Sequence, residues 1–280
     1  MLLGGTVTGN WTDIRGWEEI LVRSEFKAIT APFNCRTAPQ EIEAYMETAA
    51  KHNVAVAEIG VWKNVMDPDP VAAAEAVAYA KEQLALADRL GIPCCVNITG
   101  TPGTAGWDAA DVCNFTEETY TQIIRITREI IDDVNPKNAC YGIEPMPWMV
   151  PDGPDEYLQL IRDVDREAFC AHMDFVNMIN CPRRYLAAEA FIEECFRKLA
   201  PYIRSTHLKD SRMDPLRLTT VLEECAPGEG GLNFTNVLRI IDRYLPADGP
   251  VLLEHMQTEE EYRRAYIHTA GIAAAAGLKI

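Results

Sequence analysis

Four short stretches of this 280-residue chain run from apolar residues into a side chain able to hold a cation. They are Gly142-Ile143-Glu144-Pro145, His172-Met173-Asp174-Phe175, Thr206-His207-Leu208-Lys209-Asp210 and Leu252-Leu253-Glu254-His255. Glu144, Asp174, His207 and Glu254 together form a ligand set for one divalent metal ion. Hard carboxylate donors with one imidazole favour manganese, and magnesium, cobalt or zinc also suit the set. An ion bound to a carbonyl and an adjacent hydroxyl acidifies the C–H bond between them. A carboxylate that removes this proton leaves an enediolate, stabilised by the cation. Return of the proton to the opposite face is epimerisation, and return to the neighbouring carbon is aldose–ketose isomerisation. Loss of a β-hydroxyl or glycosidic group is elimination. Glu144 and Glu254 are the candidate pair for moving the proton, with Asp174 and His207 as ligands.

Those residues converge only if their strands are neighbours. Strand-like and helical segments alternate along the whole chain. Eight strand-like runs are expected at about 1–8, 26–33, 54–62, 92–99, 139–144, 168–177, 203–209 and 251–256. Helices are expected between them, for example over 69–90, stopped by Gly91, and over 117–138, capped by Thr116. This alternation implies parallel pairing through right-handed crossovers, and eight units in this length suit an α/β fold of the closed (β/α)8 TIM-barrel type, one domain over 1–280. No GxGxxG follows the first strand, which removes the usual dinucleotide-binding open sheet. The four ligand candidates fall at the ends of segments five to eight. Their separations of 30, 33 and 47 residues are each about one strand–helix unit, the last lengthened by an irregular segment at 211–230. In such barrels chemistry sits at the C-terminal ends of the strands.

Other polar and aromatic residues near strand ends are candidate substrate contacts. Glu58 is the only charge in segment three and is expected to reach the mouth, as is Asn97 in segment four. His172 shares strand parity with Asp174 and belongs one layer deeper, as a partner of the ligands or a substrate contact. Lys209 and Arg212 could hold substrate oxygens. Trp62, Trp107 and Trp148 lie in or near the loops above the strands, and Trp148, in the proline-rich run 145–151, is the aromatic candidate for a sugar face. His255, of opposite parity to Glu254, is expected to face the helices.

The run GIEP, MD, HLKD, PGEGGLNF and LLEHM resembles the sugar isomerase/epimerase family with a xylose-isomerase-like barrel. The resemblance is clear over strands five to eight and extends to ketose 3-epimerases, inosose dehydratases and keto-sugar lyases. It implies one metal bound by Glu144, Asp174, His207 and Glu254, with both glutamates shuttling protons. Two positions depart from the epimerase pattern. Asn177 stands where a His is usual, and Arg212 matches the usual Arg only loosely. The expected function is a metal-dependent isomerase or epimerase, with a lyase or dehydratase acting on an inosose, keto-sugar or glycoside as the alternative.

Composition narrows the partners. A net charge of −16 repels nucleic-acid backbones and anionic lipid, so neither is expected. No run approaches the ~18 apolar residues of a membrane span. The start, Met1-Leu2-Leu3-Gly4-Gly5, lacks the basic region of a signal peptide. Nine cysteines, an odd number with no CxxC, read as reduced thiols. A cytoplasmic protein acting on a small sugar or polyol-derived substrate is expected, and a homo-oligomer is compatible with the sequence.

Overall fold

A computed structural model describes residues 1–280. The barrel strands are β1 (Leu2–Gly5), β2 (Ala28–Thr30), β3 (Ala55–Gly60), β4 (Cys94–Asn97), β5 (Cys140–Ile143), β6 (Phe169–Met173), β7 (Ile203–Leu208) and β10 (Pro250–Leu253). Between the last two lies a hairpin, β8 (Asp210–Met213) and β9 (Leu222–Cys225). All barrel neighbours pair in parallel, in the closed order β1-β10-β7-β6-β5-β4-β3-β2. The expected TIM barrel is therefore the observed architecture. The strands β5, β6, β7 and β10 that carry the ligand candidates are consecutive in it.

The helices are α1 (Ile14–Ser24), α2 (Pro39–Lys51), α3 (Pro70–Leu90), α4 (Glu117–Val134), α5 (Pro154–Val164), α6 (Pro182–Leu186), α7 (Ala188–Leu199), α8 (Phe234–Tyr244) and α9 (Glu259–Ala275). Local chemistry fixes their ends. Asp69 and Thr116 accept backbone N–H groups at the starts of α3 and α4, Gly91 closes α3 at φ 70°, and Thr258 with Glu261 forms a capping box on α9. The helices bury one face against strands that are themselves covered on both sides, so Cys94–Asn97 and Phe169–Met173 are wholly buried. Trp17, Leu84, Tyr157, Phe196 and Ile241 fill that layer between helices and barrel.

Two segments differ from expectation. The strand expected over 26–33 is only three residues long, Ala28–Thr30, with a register shift against β3. The segment 211–230, expected to be irregular, contains the antiparallel β8–β9 hairpin, which pairs Asp210 with Cys225 and Met213 with Leu222. Asp210 ties the base of this hairpin. Its buried carboxylate accepts the backbone N–H groups of Ser211 at 2.7 Å, Gly230 at 3.0 Å, Leu232 at 3.1 Å and Gly228 at 3.2 Å. The fit requires glycine at 230, where a Cβ would lie 2.3 Å from Asp210 Oδ1. Asp210 and the Pro227–Gly231 run thus form one structural unit.

Candidate metal centre and active site

Glu144, Asp174 and Glu254 each sit one residue beyond a strand, after β5, β6 and β10, and His207 is the penultimate residue of β7. All four are buried, and one ligand atom from each lies within 4.8 Å of all the others. His207 Nδ1 is 2.5 Å from Glu254 Oε2 and 3.4 Å from Glu144 Oε1. His207 Nδ1 is buried and faces only carboxylate oxygens, at contact distance but without the alignment of a hydrogen bond. Buried polar atoms are rarely left so. An imidazole nitrogen and three carboxylates converging on one point are the donor set that a shared cation requires.

The charges agree with that reading. Lys209, also buried, places Nζ 2.8 Å from Asp174 Oδ2 and forms an ion pair with Glu254 Oε1. Three carboxylates against one ammonium leave two negative charges, which a divalent ion would balance. Without an ion, protons carry that role. Burial opposes a charged imidazole at His207, but Glu254, Glu58 and Glu144 outweigh it and hold the ring's pKa well above its ordinary value. Burial pushes Asp174 up to about 8 despite Lys209 beside it, with Glu254 and Glu144 adding to the rise. Oxygen donors with one imidazole fit manganese, magnesium, cobalt or zinc.

Beneath the ligands lies a second layer. Glu58, on β3, faces His207 across the barrel. It accepts from His207 Nε2 at 3.0 Å, His172 Nε2 at 3.0 Å and Ser205 Oγ at 2.5 Å. Burial raises the Glu58 pKa, but the imidazoles of His207 and His172 outweigh this and hold it below the carboxylate range. With its Nε2–H directed at Glu58, His207 presents Nδ1 to the other ligands. Glu58 was expected at the mouth as a substrate contact. It lies a layer lower, because its Cα pairs with Cys94, at the start of β4 rather than its end. His172 is fully buried against Glu58, as its parity implied, and offers no surface to a substrate.

The remaining candidates separate. Trp148 lines the cleft above the site, with its indole N–H donating to Asp108 O at 2.7 Å. Arg212 also lines the cleft, but from the hairpin, where it pairs with Glu223 at 2.8 Å. Asn97 is not a substrate contact in this geometry. Its amide donates to Lys63 O at 2.9 Å and accepts from Lys63 N at 3.2 Å, which fixes the β3–α3 loop. His255 does not face the helices. The strand ends at Leu253, and a positive φ of 60° at His255 turns its ring to the mouth, where Nδ1 meets Glu224 Oε1 at 2.6 Å. Glu224 also meets Lys209 Nζ at 3.0 Å, so β9 is tied to the centre. Glu224 went unnoticed in the sequence because nothing there marks a hairpin bending back over the barrel. Asn177, where the epimerase pattern has His, donates to Glu144 Oε1 at 3.2 Å.

The cleft over these residues has a volume of about 1780 Å³. No helix is long and apolar enough to cross a membrane. No curated protein sequence matches the chain. Among solved structures, the fold resembles a xylose isomerase-like TIM barrel protein from Mycobacterium smegmatis in complex with magnesium, with TM-score 0.69, 16% identity, and coverage of 98% of this chain and 97% of that one. D-Psicose 3-epimerase in the presence of D-fructose aligns with TM-score 0.71 and 14% identity over 97% of this chain and 99% of that one. A 3-keto-D-glucoside 4-epimerase from E. coli aligns with TM-score 0.67 and 12% identity over 97% and 99%. The profile of the xylose isomerase-like TIM barrel family matches residues 19–270, and the chain belongs to that family.

Proposed function

We propose that the protein is a metal-dependent sugar isomerase or epimerase that moves a proton between substrate carbon and the carboxylates of Glu144 and Glu254. The observation that carries this reading is the convergence of Glu144, Asp174, His207 and Glu254 at the floor of an open cleft. The epimerases among the structural neighbours and the magnesium bound in another of them agree with it. A bound divalent ion would supply Lewis acidity toward a carbonyl and its neighbouring hydroxyl.

The residues of the chain do the rest. Glu144 and Glu254 rise from β5 and β10, with two strands between them, and so approach a substrate from different sides. Their surroundings are unequal. Glu144 has a neutral amide partner in Asn177, whereas Glu254 is paired with the Lys209 ammonium. An ammonium beside Glu254 favours its charged, weakly basic form more than the Asn177 amide does at Glu144. Glu144 is therefore assigned as the acceptor of the C–H proton, and Glu254 as the partner that returns one. Asp174 and His207 would hold the ion, with Glu58 fixing the imidazole.

The test is solvent exchange. Metal-loaded protein incubated with a ketose panel in deuterium oxide should place deuterium at the carbon beside the carbonyl. Glu254→Gln should slow this about 10²–10⁴-fold, with metal content measured in parallel. Turnover without deuterium in the product would refute proton transfer through solvent-exchangeable carboxylates. The width of the cleft favours, as second reading, a lyase or dehydratase on a glycoside or keto-sugar, which product mass distinguishes by loss of water or aglycone.

A further inference from the structure

The cleft is larger than one sugar ring needs. At about 1780 Å³ it exceeds the ~300–1,000 Å³ that encloses a drug-sized ligand. One sector of its rim carries three indoles on consecutive loops: Trp62 after β3, Trp107 after β4 and Trp148 after β5. Their exposures of 40%, 41% and 38% leave three large apolar side chains partly open to solvent in the same cleft that holds Glu144, His207 and Glu254. Two of these rings are fixed in place. The indole N–H of Trp148 is held by Asp108 O, and its own carbonyl accepts from Asn114 Nδ2 at 3.0 Å. Trp62 has φ 49°, a conformation a bulky residue rarely adopts, and its indole lies on Gly60, where a Cβ would come within 1.9 Å of Nε1. Backbone strain kept to hold a half-exposed indole against a bare glycine face suits a preorganised binding surface.

A charged side chain follows two of the three indoles in sequence. Lys63 follows Trp62, Asp108 follows Trp107, and all four line the cleft. Indole faces suit the C–H face of a pyranose, while a cation and a carboxylate suit its hydroxyl edge. An aromatic aglycone would cover the indoles but offer no hydroxyl groups to Lys63 and Asp108.

We infer that the Trp62–Trp107–Trp148 rim is a second sugar subsite, so that the substrate is a disaccharide or longer glycoside whose reacting ring sits over the metal ligands and whose second ring stacks on the rim. This rests on the proposed sugar chemistry for the choice of reacting ring, but its test does not depend on turnover. Tryptophan fluorescence titrations of manganese-loaded protein would compare three matched sets: methyl β-D-glucoside, cellobiose and phenyl β-D-glucoside; methyl α-D-glucoside, maltose and phenyl α-D-glucoside; methyl β-D-galactoside, lactose and phenyl β-D-galactoside. In at least one set the disaccharide should bind about tenfold more tightly than the methyl glycoside and more tightly than the phenyl glycoside. Trp107→Ala should remove that gain while the methyl glycoside affinity stays unchanged, and Trp62→Ala serves as an independent second variant. Disaccharides binding no better than methyl glycosides in every set would overturn the subsite, and phenyl glycosides binding best would overturn the sugar assignment. Deuterium exchange on free ketoses with no disaccharide gain would sink the subsite alone. A disaccharide gain with no exchange would sink the proposed reaction alone.

Discussion

Replacing Glu58 by Gln keeps volume and shape but removes one of two acceptor oxygens. Oε2 receives two donors, Ser205 Oγ and His172 Nε2, while Oε1 receives only His207 Nε2. The Gln carbonyl will therefore stay with the pair, and its NH₂ will face the His207 N–H. Two donors cannot share that contact, so the imidazole shifts its proton to Nδ1, the nitrogen that points at the other ligands. That tautomer cannot bind a cation. A hydrogen bond to a charged group is worth about 1.5–3 kcal/mol, which at about 1.4 kcal/mol per tenfold gives a 10–100-fold weaker metal affinity. The assay is calorimetric titration of manganese into chelator-treated wild type and Glu58→Gln, with circular dichroism to confirm the fold. A dissociation constant within about threefold of wild type, in a folded variant, would refute the tautomer argument. The same contact has a pH signature. The Glu58 pKa is held below its unfolded value of about 4.3, so its stabilisation is complete above that value and is lost as the pH falls toward the depressed folded one. The difference in melting temperature between wild type and Glu58→Gln should shrink below about pH 4.

Asp174 should show the opposite slope. In metal-free protein its carboxyl is raised to about 8, so the folded state keeps a proton that the unfolded chain releases near ~3.9, and stability should fall as pH rises between them. Asp174→Asn should flatten that decline in chelated melts at pH 5, 7 and 9; an unchanged slope would show that Asp174 is not its source. Gly230→Ala forces a Cβ against Asp210 Oδ1 and Ser211 O, at 2.3 and 2.4 Å, and should cost about 1–3 kcal/mol. Hydrogen exchange should then rise across 210–232 with the barrel strands unaffected, and unchanged protection there would remove Asp210 as the tie.

The parts of the fold that the sequence revealed are those with short-range signatures. Strand–helix alternation, Gly91 and Thr116 mark their own elements, and the 30- and 33-residue separations of Glu144, Asp174 and His207 reflect one strand–helix unit each. The meeting of Glu58 with His207 is different in kind. Their strands, β3 and β7, lie on opposite sides of the closed ring, and only closure with the actual register sets the layer at which the two side chains meet. His255 was misplaced because strand alternation was carried one residue too far, past the end of β10, into a residue with positive φ. Asn97 was misread for another reason: its strand position suits a substrate contact, but a neighbouring loop backbone satisfies its amide first. The hairpin escaped notice because Pro215 and a mixture of charges interrupt its apolar pattern.

The Asp210 tie also bears on how this barrel can diversify. Both roots of the hairpin, at 210–211 and 228–232, are fastened to one buried carboxylate, and Glu224 is anchored separately to Lys209. The turn between β8 and β9, residues 214–221, lies beyond all of these attachments and carries the exposed Leu216 and Leu218. A change in its length or composition would alter the roof of the cleft without passing strain to the floor formed by Glu144, Asp174, His207 and Glu254. The hairpin tip is thus an interchangeable part on a fixed mount, a segment where a lineage can reshape the cleft while the buried carboxylates at its floor stay in register.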